Sequence, residues 1–196
     1  MIVTLCNAKG GTGKSTLSIL LASALAEAGH SAAVLDTDPQ QQTARRWLVS
    51  TASDVKLAED GKSYDALFMD TAPRLDSQRV TSSVRRSDLV IVVSSPSPAD
   101  LFTSRDTVQM LEREGVKNRA RLLFNQVQTG TVLSRELDEM AERIGLRPLK
   151  NVLHRRKAYQ HAVLMGWKRC CPRRARKCSR RRWKSPHQPR KGSNRT

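Results

Sequence analysis

The apolar positions of this chain come in two alternating textures. Short, largely unbroken runs occupy 2–6 (IVTLC), 32–36 (AAVLD), 65–70 (DALFMD), 88–95 (DLVIVVSS) and 121–125 (RLLFN). Each has the length of a strand, and continuous rather than alternating apolarity marks strands covered on both faces. Between the runs the spacing becomes helical. Leu17, Leu20, Leu21, Ala24, Leu25 and Ala28 share one side of a helix over 15–28 that Gly29 ends. Further helices are expected at about 41–49, 99–114, 134–144 (closed by Gly145) and 158–165, and 77–86 reads as a polar, amphipathic segment. This alternation predicts an α/β fold, a doubly wound, mostly parallel sheet with helices on both faces. Ligands of such sheets lie at the carboxyl ends of the strands. The polar residues that fall there are 9–15 after the first strand, Asp36 and Asp38 after the second, Asp70 after the third and Asn125 at the end of the fifth.

The chain has 196 residues, which suits one domain, placed at 1–166, with an attachment at 167–196. The net charge of +17 suggests nucleic acid until it is divided. Of 35 Lys and Arg residues 13 lie in 167–196, which has no acid, so 1–166 carries 22 basic against 18 acidic residues, a net of +4. The body is only mildly basic. No apolar run is long enough to span a membrane, and Lys9 with the glycines interrupts the first one before it could act as a signal peptide. Of four cysteines, Cys6 ends a strand and reads as a small buried residue, and the other three lie in the tail, so a disulfide framework is not expected and a reduced cytosolic compartment is.

The chemistry concentrates in CNAKGGTGKSTL, 6–17. A loop joining a strand to a helix N-terminus offers unpaired N–H groups and the positive end of a helix dipole. Gly10, Gly11 and Gly13 let that backbone wrap around phosphate oxygens. Lys14 would reach the β- and γ-phosphates, and the Ser15 hydroxyl would complete the coordination of Mg²⁺. The usual pattern has Gly where Ala8 stands, and here a lysine, Lys9, follows it.

That arrangement, KGGTGKST, resembles the deviant Walker A motif of the ParA/MinD family of P-loop ATPases. VLDTDPQQ, ALFMDTAP, VIVVSSPSPADL and LLFNQV continue the resemblance in the family's order, over about residues 1–130. It implies ATP and Mg²⁺ as cofactors and slow ATP hydrolysis. Lys9 is implied to reach a partner's nucleotide across an ATP-sandwich homodimer. Gly10, Gly11, Thr12, Gly13, Lys14, Ser15 and Thr16 are implied to hold the phosphates, Asp38 to position the attacking water, Asp36 and Asp70 to serve the Mg²⁺ shell, and Asn125 to contact adenine. Phosphoryl transfer to water of this kind needs positioning and charge neutralisation, without a covalent intermediate.

Within the family, MinD-like proteins carry a C-terminal amphipathic membrane helix, nitrogenase-iron-protein relatives carry cluster cysteines in mid-chain, and amidoligase relatives carry a second domain. None of these features is evident in the sequence. The chain is most similar to small ParA proteins without an N-terminal DNA-binding domain. The resemblance implies a cytoplasmic, nucleoid-associated protein that moves plasmids or chromosomes. Its ATP-bound dimer would bind DNA non-specifically, and a ParB-like centromere-binding partner would stimulate hydrolysis. A membrane partner is not expected. Arg119, Arg121, Arg143, Arg147, Arg155, Arg156 and Lys157 are the basic candidates for DNA in the body, with Arg155, Arg156 and Lys157 preferred as a group. The alternatives are a MinD-like positioning ATPase and a DNA-binding protein dominated by its tail whose nucleotide site no longer turns over.

The tail, WKRCCPRRARKCSRRRWKSPHQPRKGSNRT, has no acid, no Leu, Ile or Val and no periodicity, and reads as disordered and polycationic. Three readings stand open. It is a DNA-binding extension with Trp167 and Trp183 able to stack on bases, a metal site at Cys170, Cys171, Cys178 and His187, whose spacing fits common zinc patterns poorly, or the product of a shifted reading frame. Codons for Trp167, Lys168 and Arg169 can read, one base later, as Gly-Ser followed by Ala, Asp, Gly or Val. That resembles the Gly-x-Ser/Thr-Val stretch found there in ParA-like chains. If the frame is shifted, the gene's alternative frame should stay open beyond this point and encode an amphipathic helix; an early stop in it excludes the shift.

Overall fold

Every strand pairing in the sheet is parallel, as the unbroken apolar runs require. The computed structural model of the chain describes residues 1–51 and 55–165. The strands are β1 (Ile2–Cys6), β2 (Ala32–Asp36), β3 (Lys56–Leu57), β4 (Ala66–Asp70), β5 (Leu89–Ser94) and β6 (Ala120–Phe124), in the spatial order β3-β2-β4-β1-β5-β6. Five of the six match the expected runs. The sixth, β3, is a two-residue edge strand beside β2, too short to leave a periodic signature. The tail at 167–196, with its three readings, lies outside the described residues.

The helices are α1 (Lys14–Glu27), α2 (Thr43–Ser50), α3 (Gln78–Arg86), α4 (Pro98–Arg113), α5 (Leu137–Ile144) and α6 (Lys157–Met165). Local chemistry explains several ends. Ser97 caps α4, accepting from the Asp100 N–H, and Pro98 stands at the first helical position, where its missing N–H costs nothing. α5 ends on Gly145 in the left-handed region (φ 77). The expected start of α5 at 134 shifts to 137 because a short 3₁₀ turn, Val132–Ser134, intervenes, its Ser134 N–H held by Thr131.

Alternate residues of each strand serve opposite faces. Val3, Leu5, Ile91, Val93 and Leu123 pack with Leu17, Ile19 and Leu20 of α1 and with Ala44 of α2 and Ala162 and Val163 of α6. Cys6, Val90, Val92, Leu122 and Phe124 pack with Val80 and Val84 of α3, Val108 and Leu111 of α4, and Met140 and Ile144 of α5. The sheet is therefore covered on both sides by two separate cores. Between β1 and α3 a polar knot replaces an apolar contact: the buried hydroxyls of Thr4 and Ser87 lie 2.5 Å apart, and Ser87 Oγ bonds the Ser83 carbonyl at 2.7 Å.

Register sets the site. β1 is central, with Leu5 opposite Asp70 on one side and Cys6 opposite Val92 on the other, while Asp36 stands opposite Asp70. Two carboxylate residues thus end adjacent strands about 4.8 Å apart, beside the loop that leaves β1. Arg119 and Arg121, two of the basic candidates, sit at the opposite end of the sheet around the start of β6. Their guanidinium groups donate to backbone carbonyls, Arg119 to Ser87 (2.6 Å) and Arg121 to Ala120 (2.7 Å) and Asn118 (3.1 Å). Arg143 pairs with Glu139 one turn away. No described helix is long and apolar enough to cross a membrane.

Leu111 has no exposed surface and fills the core under α4, whereas Val49 is 73% exposed. Leu111→Ala should cost about 2–5 kcal/mol in urea denaturation, and Val49→Ala about 0.5 kcal/mol or less.

Candidate nucleotide site

The loop between β1 and α1 is clamped from both sides. On one side Asn7, fully buried, donates from Nδ2 to the Val93 carbonyl (2.7 Å) and to Ser104 Oγ (3.2 Å), and its Oδ1 accepts from the Lys9 N–H (3.0 Å). The Ala8 N–H donates to Thr107 Oγ1 at 3.2 Å. On the other side Asn125 Nδ2 donates to the Thr12 carbonyl (2.8 Å) and Gln126 Nε2 to the Gly11 carbonyl (2.9 Å). The last two bonds hold the Gly11 and Thr12 carbonyls on the flanking amides. The first N–H groups of α1, which have no partner inside the helix, remain for a ligand.

Gly13 is required twice over. It caps α1 in the left-handed region (φ 99), and a Cβ there would meet Asn125 Nδ2 at 2.4 Å. Gly11 also has positive φ (77), while Gly10 has open space around it.

The charges behind the loop are buried. Lys14 is 6% exposed and donates to the Lys9 carbonyl at 2.9 Å. Burial pulls its ammonium below the usual lysine range, and Asp70, Cys6 and Asp38 push back. Asp70 is 1% exposed, and its Oδ1 has no hydrogen-bond partner. Burial raises its carboxyl to about 7; the Ser15 hydroxyl and Lys14 oppose the rise, and Asp36 and Asp38 add to it. A second orphan, Thr12 Oγ1, is buried without a partner. Burial likewise pushes the Cys6 thiol up to about 12, which keeps it a buried apolar group, as expected.

Asp36 and Asp38 are organised by backbone. Asp36 accepts from the Asp38 N–H (3.0 Å) and the Arg45 N–H (2.9 Å), joining the end of β2 to the first turn of α2. Asp38 takes the Gln40 and Gln41 N–H groups (2.9 and 3.1 Å) on Oδ1 alone, so Oδ2 is left for another partner. No group of three or more His, Cys, Asp or Glu side chains among the described residues could hold a metal by itself. Mg²⁺ keeps several waters and binds through one or two protein oxygens plus substrate phosphates; Asp70 Oδ1 is buried without a protein partner, whereas both Asp36 oxygens accept backbone N–H groups.

Lys9 forms an ion pair with Asp100 at the start of α4. Beside the loop, on the β6 side, a cavity is lined by Gly13, Thr16, Asn125, Gln126, Arg155, Arg156 and Tyr159. The preferred basic group is thus divided: Arg155 and Arg156 rim this cavity, and exposed Lys157 opens α6. Asn7, Asp100, Thr107 and Gln126 escaped sequence reading. Asp100, three residues after Ser97, has the signature of a helix cap, and Asn7 and Thr107 read as ordinary strand-end and helix residues until the tertiary contact brings them together.

The model of the CobQ/CobB/MinD/ParA nucleotide binding domain matches residues 3–166. The maintenance of carboxysome distribution protein A of Halothiobacillus neapolitanus is 26% identical over 185 aligned residues, covering 84% of each chain. Among solved structures, a putative plasmid partition protein of Borrelia burgdorferi bound to AMPPNP superposes with a TM-score of 0.66 at 14% identity, covering 83% of this chain and 88% of that one. The septum site-determining protein MinD of Pyrococcus horikoshii, complexed with Mg-ADP, gives 0.66 at 17% identity, covering 83% and 84%. With the glycine loop, its two strand-end carboxylates and a family match over 3–166, the chain belongs to the CobQ/CobB/MinD/ParA nucleotide-binding domain family.

Proposed function

We propose that this chain is an ATPase of the ParA kind, which binds Mg·ATP, pairs with a second copy through Lys9, binds DNA non-specifically and positions a plasmid or chromosome with a ParB-like adaptor. The observation that carries the reading is a pair of buried charged residues, Lys14 at the start of α1 and Asp70 at the end of β4. Lys14 and Asp70 lie beneath a glycine loop at a helix N-terminus, and one Asp70 oxygen is without a protein partner. An isolated buried carboxylate oxygen is costly, and a hydrated cation supplies what it lacks. The AMPPNP and Mg-ADP bound by the structural neighbours support the same ligands here.

Mg²⁺ at this place would neutralise charge on the β- and γ-phosphates. The protein's own groups do the rest. The loop N–H groups and Lys14 hold the phosphates, Ser15 and Asp70 orient the metal's shell, and Asp38, its Oδ1 anchored by two backbone N–H groups, offers Oδ2 to a water. Asn125 fixes the loop through Thr12 while lining the cavity that would take the base. Arg155 and Arg156 at the rim of that cavity and Lys157 at the start of α6 are exposed and would meet DNA phosphates, in the cytoplasm at the nucleoid. A second reading, a cargo of the carboxysome kind in place of a replicon, is favoured by the 26% identity to the carboxysome distribution protein.

Two outcomes test this. DNA affinity, measured at fixed salt with ATP, ADP or no nucleotide, should be highest with ATP. Lys9→Ala should remove that gain, and the affinity should fall steeply as salt rises; equal affinity in all three states leaves only a passive cationic contact. Asp70 gives a pH signature without nucleotide. Its folded carboxyl, at about 7, stands above the unfolded value of 3.8, so the folded state binds the extra proton and stability falls as pH rises from about 4 to 7. Asp70→Asn should therefore raise the melting temperature of the free protein at pH 8, by less at pH 5, and abolish the Mg²⁺ dependence of nucleotide binding.

A further inference from the structure

Lys9 and Asp100 lie 91 residues apart in sequence and meet across the mouth of the phosphate loop. The two partners are unequal. The carboxylate is 3% exposed and the lysine side chain 40%. Asp100 is also immobilised: Oδ2 accepts from the Ser95 N–H (3.0 Å) and Ser95 Oγ (2.6 Å), its own N–H is held by Ser97 Oγ, and Oδ1 is left for the ammonium. Burial would raise its carboxyl, but the hydrogen bonds from Lys9 and Ser95 outweigh it and hold it below the usual carboxylate range. The backbone of Lys9 is fixed as well, with its N–H on Asn7 and its carbonyl on Lys14 Nζ. What remains free to move is the four-carbon stem and its charge, turned from the loop toward α4.

We propose that Asp100 is a latch on Lys9: it keeps the ammonium on its own chain until the triphosphate of a second copy draws the lysine away, and so sets the threshold for nucleotide-dependent dimerisation. This rests on the reading of Lys9 as a contact to the partner's nucleotide. A ligand shifts an equilibrium only by its differential affinity for the two states. Whatever the pair contributes to the single chain is therefore subtracted from the closed dimer, and a nucleotide without a γ-phosphate has less to offer in exchange. The competing view makes Asp100 a structural cap for the turn at 95–97. Asp100→Asn separates the two, because an asparagine oxygen can still accept from the Ser95 N–H while the charge is gone.

The test is analytical ultracentrifugation of the full chain over a range of concentrations with Mg²⁺ and AMPPNP. Asp100→Asn should dimerise at about tenfold lower concentration than wild type, equivalent to about 1.4 kcal/mol, whereas added to Lys9→Ala, which lacks the in-trans contact, it should restore no dimer, as a coupled pair demands. An unchanged midpoint, or an equal change in both backgrounds, overturns the latch. The pair is read independently by ¹³C NMR of reductively methylated lysines, with the Lys9 signal assigned by its loss in Lys9→Ala. Without nucleotide that signal should differ between wild type and Asp100→Asn; identical signals overturn the proposal at the pair itself. A wild type that shows the difference yet stays monomeric with AMPPNP also overturns it, and shows that the in-trans reading of Lys9 is what failed.

Discussion

A carboxylate buried at the end of a central strand, with one oxygen unmet by any protein donor, is the feature around which this molecule is arranged. Asp70 is held there by register, between β1 and β2, and cannot swing to water. Its charge is affordable only through what surrounds it: the buried ammonium of Lys14, the Ser15 hydroxyl and the helix that begins at the glycine loop. Each of those must in turn be positioned by the fold. The site is less a set of residues on a scaffold than a charge problem that the scaffold leaves incompletely solved, with the remaining share left to a ligand.

The shape of the loop that carries these groups is set by hydrogen bonds to the Val93 carbonyl of β5, to the Ser104 and Thr107 hydroxyls of α4, and from the Asn125 and Gln126 amides that follow β6. Asn7 ties its entry to β5 and α4, and Asn125 and Gln126 tie its exit to the end of β6. The tightness of that clamp explains Gly13 better than backbone conformation alone, since any Cβ would strike the Asn125 amide. It also joins the phosphate end of the site to the cavity next to α6, because Asn125 both clamps Thr12 and lines that cavity.

The basic residues show how poorly charge alone locates a function. Read along the sequence, Arg119, Arg121, Arg143, Arg155 and Arg156 look equivalent. In space two of them bond backbone carbonyls at the far end of the sheet, one pairs along α5, and two rim the cavity beside the loop. Of these five, the last two lie beside the loop, with Lys157 next to them at the start of α6.

The sequence by itself determined the layered architecture, because unbroken apolar strands and helix-spaced runs can be buried in few other ways. It also determined the phosphate loop, because its chemistry is local: Gly10 to Ser15 are consecutive, and their function needs only a strand before and a helix after. The edge strand β3 was too short to register. Tertiary structure decided which strands are neighbours, and through that which carboxylates share the site, since Asp36 and Asp70 become adjacent only in the order β3-β2-β4-β1-β5-β6. It decided the clamp, whose members are scattered from 7 to 126, and it decided that Lys9 rests on Asp100. Such contacts depend on long-range packing, and an isolated Asn, Thr or Asp in a sequence carries no mark of the partner that folding will bring to it.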